Sequence, residues 1–282
     1  MKRFRSLAAL AAVSALTLSA CGNSDSEGDS ESSATSGGSG VTTIVVGASP
    51  VPHSEILNYV SENLAADAGI EIEIKEYNDY VLPNEDLQAG DIDANFFQHI
   101  PYYDEAVESK GYTFERGEGV HIEPYGVYSN DIEDLADLPD GAKVGITNDP
   151  SNQARALDLL AVNDIITLSD VDNPTIYDVD ENPKNIEFVE AEAPAVPKLL
   201  PDVDIAIING NFALDNGLTP SEDAIYLESG EGNPYSNILA WNTEADADTI
   251  AAVEKLDELL HSDEVADYIR QTWPDGEVIP AF

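Results

Sequence analysis

The sequence predicts an α/β fold built as two lobes. Short β-branched runs alternate with segments whose apolar residues recur at helical spacing, the pattern of open sheets covered by helices on both faces. The alternation runs from residue 41 to an extended stretch at 119–128 and restarts at Lys143. Once the first forty of the 282 residues are set aside as leader and linker, about 240 remain to fold, which suits two α/β lobes. In such folds ligands bind beyond the carboxyl ends of strands, and a cleft between lobes is a natural site.

The elements follow in chain order. Residues 41–47 (VTTIVVG) read as a buried strand. Residues 53–67 place Ile56, Leu57, Val60 and Leu64 on one helix face. Ile70, Ile72 and Ile74 alternate, as in a half-buried strand. A short helix is expected around 83–89, a strand over 91–97, and a helix over 101–110 stopped by Gly111. Asn130-Asp131 reads as a helix cap opening the second lobe. Residues 143–146 form a strand, and Asp149-Pro150-Ser151 opens a helix with Ala154, Leu157, Leu160 and Ala161 on one face. Strands at 186–189, 204–208 and 237–241 follow, with a short helix at 193–200 and two closing helices at 246–261 and 263–272. The expected lobes are 41–125 with 238–282, and 126–237, crossed near 120–128 and 235–242.

The first forty residues are an address. Lys2, Arg3 and Arg5 precede a fourteen-residue apolar or small stretch, 7–20, too short for a membrane span of roughly 20 residues. It fits a secretory signal. The stretch ends in Leu18-Ser19-Ala20-Cys21, which resembles the lipobox of bacterial lipoproteins. That resemblance implies a signal peptide at 1–20, cut before Cys21, and a lipid on Cys21. Residues 22–40 (GNSDSEGDSESSATSGGSG) hold almost no apolar side chain and read as a flexible tether.

Composition excludes several functions. The chain has 12 Lys and Arg against 55 Asp and Glu, a formal charge of −43. Binding to a phosphate backbone needs cations that are scarce here, and so does adhesion to anionic lipid through a basic patch. The lipid anchor is therefore the only membrane contact expected. One Cys excludes an intramolecular disulfide framework and a thiolate zinc cluster. The four His show no metal-ligand spacing, and the acidic pairs no EF-hand spacing. No metal or cofactor is expected.

Eight segments, in order, resemble the methionine-binding lipoproteins of bacterial ABC importers. They are GASPVPHSEIL (47–57), NDYVLPN (78–84), GDIDANFFQHIPYYD (90–104), VHIEPYGVYS (120–129), NDPSNQARAL (148–157), INGNFAL (208–214), NPYSNIL (233–239) and VIPAF (278–282). The resemblance implies a type II periplasmic-binding-protein fold and capture of methionine between two lobes. It also implies delivery to a membrane permease with a separate cytoplasmic ATPase, by a protein that is not an enzyme and is expected to be monomeric.

An amino acid presents a carboxylate, an ammonium and a side chain. A carboxylate calls for Arg, and Arg155 follows Asn148-Asp149-Pro150 near a helix start. Read alone, Arg155 suits a surface ion pair equally well; the resemblance makes it the carboxylate anchor. Asn209-Gly210-Asn211 reads alone as a turn at a strand tip. The resemblance assigns Asn211 and Asn237 to the ammonium and carboxylate jointly. Phe96-Phe97-Gln98-His99 and Tyr102-Tyr103 form the densest aromatic cluster, with Tyr80 upstream. In a strand Phe97 and His99 share one face and Phe96 and Gln98 the other. The resemblance puts Tyr80, Phe97, His99 and Tyr102 around the ligand side chain, where sulfur–aromatic contacts contribute about 0.3–1.5 kcal/mol each. His53 and His121 read as structural or rim residues, and His261 as solvated.

Other readings are D-methionine, a methionine dipeptide or another small amino acid in the same fold, an enzyme, or a surface interaction protein. The enzyme reading lacks a nucleophile elbow, a Gly-rich phosphate loop and a Cys/His pair. The intact set Arg155, Asn211 and Asn237 argues against an interaction protein that has lost its ligand. The charge implies a surface adapted to high salt, because screening relieves self-repulsion. The thermal unfolding midpoint is therefore expected to rise from dilute buffer to molar KCl; equal midpoints would count against that adaptation.

Overall fold

The computed structural model describes residues 40–282. The leader, Cys21 and the linker up to residue 39 lie outside the described residues. From Gly40 onward the chain is one compact unit holding two principal sheets. The first begins with β1 (Thr42–Ala48), β2 (Ile70–Glu76), β3 (Ala94–His99), β4 (Phe114–Arg116) and β5 (His121–Ile122). The chain then crosses to the second sheet with β6 (Gly126–Tyr128) and β7 (Lys143–Thr147). A separate two-stranded ribbon, β8 (Thr167–Leu168) and β9 (Val179–Glu181), precedes β10 (Glu187–Ala191), β11 (Ile205–Ile208) and β12 (Ala224–Leu227). The chain returns to the first sheet with β13 (Ser236–Asn242) and β14 (Ile279–Pro280). The first sheet has the order β14-β5-β13-β3-β1-β2, with β4 also on β13; the second runs β10-β7-β11-β6-β12.

The helices are α1 (Glu55–Asn63), α2 (Ala65–Ala68), α3 (Leu82–Ala89), α4 (Ile100–Lys110), α5 (Pro150–Val162), α6 (Gly210–Asp215), α7 (Pro220–Asp223), α8 (Ala247–Leu260) and α9 (Asp263–Thr272). Local chemistry sets their ends. Gly111 adopts φ 71° after α4, the left-handed stop its sequence predicts. Asp149 caps α5 by accepting from Asn152 N, with Pro150 in the first turn. Each principal sheet has its own core. Ile44, Val46, Phe96 and Leu239 pack under α1, α8 and α9 through Leu57, Leu256 and Ile269. Val144, Ile146, Ile205 and Ile207 pack against Leu157 and Leu160 of α5.

Several expectations change. No helix starts at Asn130-Asp131; the Ser129 hydroxyl accepts from the backbone N–H of Asp131 and Ile132 and closes a turn instead. The strand expected at 91–97 is β3, shifted to 94–99, because Asp93 is held beside β1 by bonds to the Val45 backbone. Asn209-Gly210-Asn211 is the start of α6 rather than a free turn. His261 is only partly exposed, its Nδ1 lying 2.7 Å from the Asp257 carbonyl. Among the described residues no helix is long and apolar enough to cross a membrane.

The two crossings run side by side. Asn237 pairs with His121, Ser236 with Ile122, and β14 pairs with β5. Beyond the first sheet, Glu228 N donates to the Tyr125 carbonyl at 2.9 Å. Leu256 is fully buried under the first sheet, away from these crossings. Leu256→Ala is expected to cost about 2–5 kcal/mol in denaturant unfolding; a loss below about 1 kcal/mol would show a core able to collapse around the gap.

Candidate functional site

Where the sheets face one another, side chains from both line a narrow, partly open pocket. All seven residues named from the sequence, Tyr80, Phe97, His99, Tyr102, Arg155, Asn211 and Asn237, border it. Gln98, Glu123, Asn152, Asn209 and Gly210 border it as well.

One wall is aromatic. Tyr80 lies 5.9 Å from Phe97 and 5.8 Å from Tyr102, ring centre to ring centre, and 4.9 Å from Phe212. The sequence reading passed over Phe212, which α6 supplies. Phe97 reaches this wall because β3 bulges: β13 pairs Ile238 with Gln98 and Leu239 with Phe96, leaving Phe97 unpaired. Phe96 goes to the core, while Gln98 joins a buried amide network with Asn84 and Asn95. The Tyr102 hydroxyl donates to the Tyr80 carbonyl at 3.0 Å, and the Tyr80 hydroxyl donates to Asn211 Oδ1 at 2.5 Å. Burial raises the pKa of both phenols well above the ordinary value.

His99 is a fixed partition. Its Nδ1 accepts from Tyr102 N at 3.1 Å and so caps α4, leaving the proton on Nε2, which donates to Asn152 Oδ1 at 3.1 Å. Burial, with the Arg155 charge nearby, lowers its pKa to about 3. It is a neutral imidazole that ties β3 to α5.

The polar end is built around Arg155. It is 3 % exposed, so the surface ion pair is excluded. Its fork is nevertheless filled by a carboxylate of the protein. Nε donates to Glu228 Oε1 at 3.2 Å, and Nη2 donates to Glu228 Oε2 and to the Glu123 carbonyl at 3.0 Å. Tyr235 and Tyr125 flank the guanidinium at 4.1 and 4.8 Å. Nη1 has no hydrogen-bond partner among the described residues. A buried cation must be paired, and Glu228 on the return crossing provides the pair.

The amides are oriented too. Asn211 Oδ1 is taken by Tyr80, and Asn237 Oδ1 lies 3.1 Å from His53 Nε2. Asn152 is engaged at both ends, accepting from Asn209 at 2.7 Å and donating to Asp149 at 2.9 Å. Asn209 Oδ1 is buried with no partner. Glu123 is the buried carboxyl of the cavity, its pKa raised by burial. A Cβ on Gly210 would come 2.8 Å from Glu123 Cβ, so this close approach requires glycine.

His53 and His121 are interior, not rim, residues: 1 % and 0 % exposed. Both meet Glu123 Oε1, at 3.4 and 2.8 Å. Ligand-type atoms of the three lie within 4.8 Å of one another, a proximity that the scattered sequence positions do not reveal. A hydrogen bond joins His121 to Glu123, and His53 is bonded to Asn237.

Comparison with known proteins matches residues 44–282 to the family model described as NlpA lipoprotein. The chain belongs to the NlpA lipoprotein family. It is 37% identical over 280 residues to the methionine-binding lipoprotein MetQ of Bacillus subtilis, covering 97% of each chain. A solved structure described as a nutrient binding protein from Burkholderia cenocepacia bound to methionine is 38% identical, with a TM-score of 0.78 over 85% of this chain and all of that one. An ABC transporter periplasmic substrate-binding protein from Coxiella burnetii is 35% identical, with a TM-score of 0.78 over 84% of this chain and all of that one. The fold is the two-lobed type II arrangement the motifs imply, and it matches these substrate-binding structures.

The buried histidines link the site to pH. Burial lowers His53 from 6.5 to about 4, and His99 and His121 to about 3. Below pH 6.5 the unfolded chain takes up these protons before the folded chain does, so this part of the stability is lost as pH falls from about 6.5 toward 3. Glu123 and Asp149, raised by burial, act in the opposite sense. His99→Gln is expected to flatten the fall of the unfolding midpoint over that window; an unchanged slope would show that His99 is not held neutral.

Proposed function

We propose that this chain is a lipid-anchored binding protein that captures methionine and hands it to the permease of an ABC importer. The observation that carries the reading is the division of one pocket. Its aromatic wall suits a thioether, and its other end suits a zwitterion. Arg155 Nη1 and the side-chain nitrogens of Asn211 and Asn237 are the donors for a carboxylate. Glu123 and the unpartnered Asn209 Oδ1 are the acceptors for an ammonium.

Methionine bound in the Burkholderia relative and the name of the Bacillus relative support the ligand. The Coxiella relative supports the importer. On this reading Cys21 carries the lipid, 22–40 is the tether, and the body stands on the outer side of the cell membrane as a monomer. The lobes, 41–125 with 238–282 and 126–237, close over the ligand by a hinge at the two crossings. The ATPase belongs to the importer, and this chain binds without catalysing.

Calorimetric titration of the full chain, refolded to remove carried ligand, tests the proposal. L-methionine is expected to bind tightly, and Arg155→Ala to weaken it about 10–150-fold, the worth of a hydrogen bond to a charged group. Circular dichroism checks that the variant, which leaves Glu228 unpaired, is folded. A folded wild-type chain that ignores L-methionine but takes D-methionine or a methionine dipeptide moves the ligand; one that takes none of them overturns the reading.

A further inference from the structure

Behind the cavity lies a buried group that the ligand does not touch. His53 follows β1 in the turn Pro50–Ser54, and His121 lies on β5. The two imidazoles meet edge to face at 4.8 Å, and Phe96 packs on both at 4.8 and 5.3 Å. His53 Nε2 faces two oxygens, Asn237 Oδ1 at 3.1 Å and Glu123 Oε1 at 3.4 Å. His121 Nε2 faces the same Glu123 oxygen at 2.8 Å. The Nδ1 atoms of both rings are buried without a partner.

A neutral imidazole carries one proton, on one nitrogen or the other. On Nδ1 the proton of His53 would have only the Val51 carbonyl, out of hydrogen-bond geometry, and that of His121 would have no acceptor, while both Nε2 lone pairs would face oxygens. On Nε2 it meets acceptors, and only a lone pair is left without a partner. The second arrangement costs less. Burial keeps both rings neutral, with pKa values of about 4 and 3. His53 therefore donates Nε2–H to Asn237 Oδ1.

That bond settles what Asn237 shows the cavity. A side-chain amide turned half a revolution offers an acceptor where it had offered a donor, and nothing in its shape prefers either. With its oxygen held by His53, the nitrogen of Asn237 is the end left for a ligand.

We propose that His53 is a positioning residue that fixes Asn237 as a hydrogen-bond donor to the ligand carboxylate. The inference rests on the amino-acid reading of the cavity and explains how the site selects an acceptor at that point. A ligand with a donor there, such as the amide of methionine in one of its two orientations, meets a donor instead.

Two measurements test it. Long-range 1H–15N correlation on the 15N-labelled full chain reads the tautomer of each of the four histidines, with His53→Gln assigning the His53 signals. The expected result, ligand present or absent, is a proton on Nε2 of His53; a proton on Nδ1 overturns the proposal. Titration with L-methionine then reads the coupling. His53→Leu is expected to weaken binding at least about tenfold in the wild-type background and not at all in an Asn237→Ala background. His53→Gln, whose amide nitrogen can donate to Asn237, is expected to recover most of the loss, which guards against a His53→Leu chain that fails to fold. Losses that multiply independently, or a His53→Leu chain that binds like wild type, overturn it. A wild-type chain that binds no amino acid removes the underlying reading, whereas wild-type binding with uncoupled variants removes only the role of His53.

Discussion

A guanidinium that is 3 % exposed is the constraint on which the rest of the molecule turns. A cation cannot stay charged in an interior without a partner and hydrogen bonds. Here the partner comes from one crossing segment and a backbone acceptor from the other. Glu228 of the return crossing fills the fork, the Glu123 carbonyl of the outward crossing takes a third N–H, and Tyr125 and Tyr235 close the faces. Glu228 is itself saturated by Tyr125 N at 3.1 Å and Asn233 Nδ2 at 2.8 Å. Charge satisfaction for one residue of α5 thereby joins the two segments between the sheets, and the same residue borders the cavity they flank.

The polar groups around the cavity share a logic. Most ends that could compete for a ligand are already committed: Asn211 oxygen to Tyr80, Asn152 to Asp149 and Asn209, both nitrogens of His99 to Tyr102 and Asn152. What remains is a small set of donors and acceptors held in place before any ligand arrives. Preorganisation of this kind reduces the ordering cost of binding. The Phe97 bulge in β3 serves the same end, since a regular strand would pair Phe97 with β13.

Much of this was legible in the sequence, for physical reasons. Apolar spacing marked β1, α1, β2 and α5, and Asp149-Pro150 and Gly111 marked helix ends, because such chemistry is local. The seven cavity residues came from motif resemblance, not periodicity; alone, Arg155 pointed equally to a surface pair. Glu123 and Glu228 were passed over because, in a chain with 55 acidic residues, a carboxylate carries no signal by itself. Their roles depend on which of many acids is buried, and the partners sit 32 and 73 residues from Arg155. Phe212 was hidden because the segment after Asn209 is short enough to pass for a turn; it winds into α6 where Gly210 packs against Glu123. The meeting of His53, His121 and Glu123 spans separate elements and leaves no spacing to read.

The position of β13 in its sheet bears on the order of synthesis. β13 lies between β5 and β3, yet it is contributed by residues 236–242, late in the chain. A chain emerging from its N-terminus can pair β1, β2 and β3 and can build much of the second sheet. Until β13 is made, a gap remains in the first sheet, and the cavity lacks both Asn237 and the Glu228 partner of Arg155. A nascent or partly translocated chain is therefore without a finished binding site, and the protein becomes able to hold cargo only when synthesis is nearly complete.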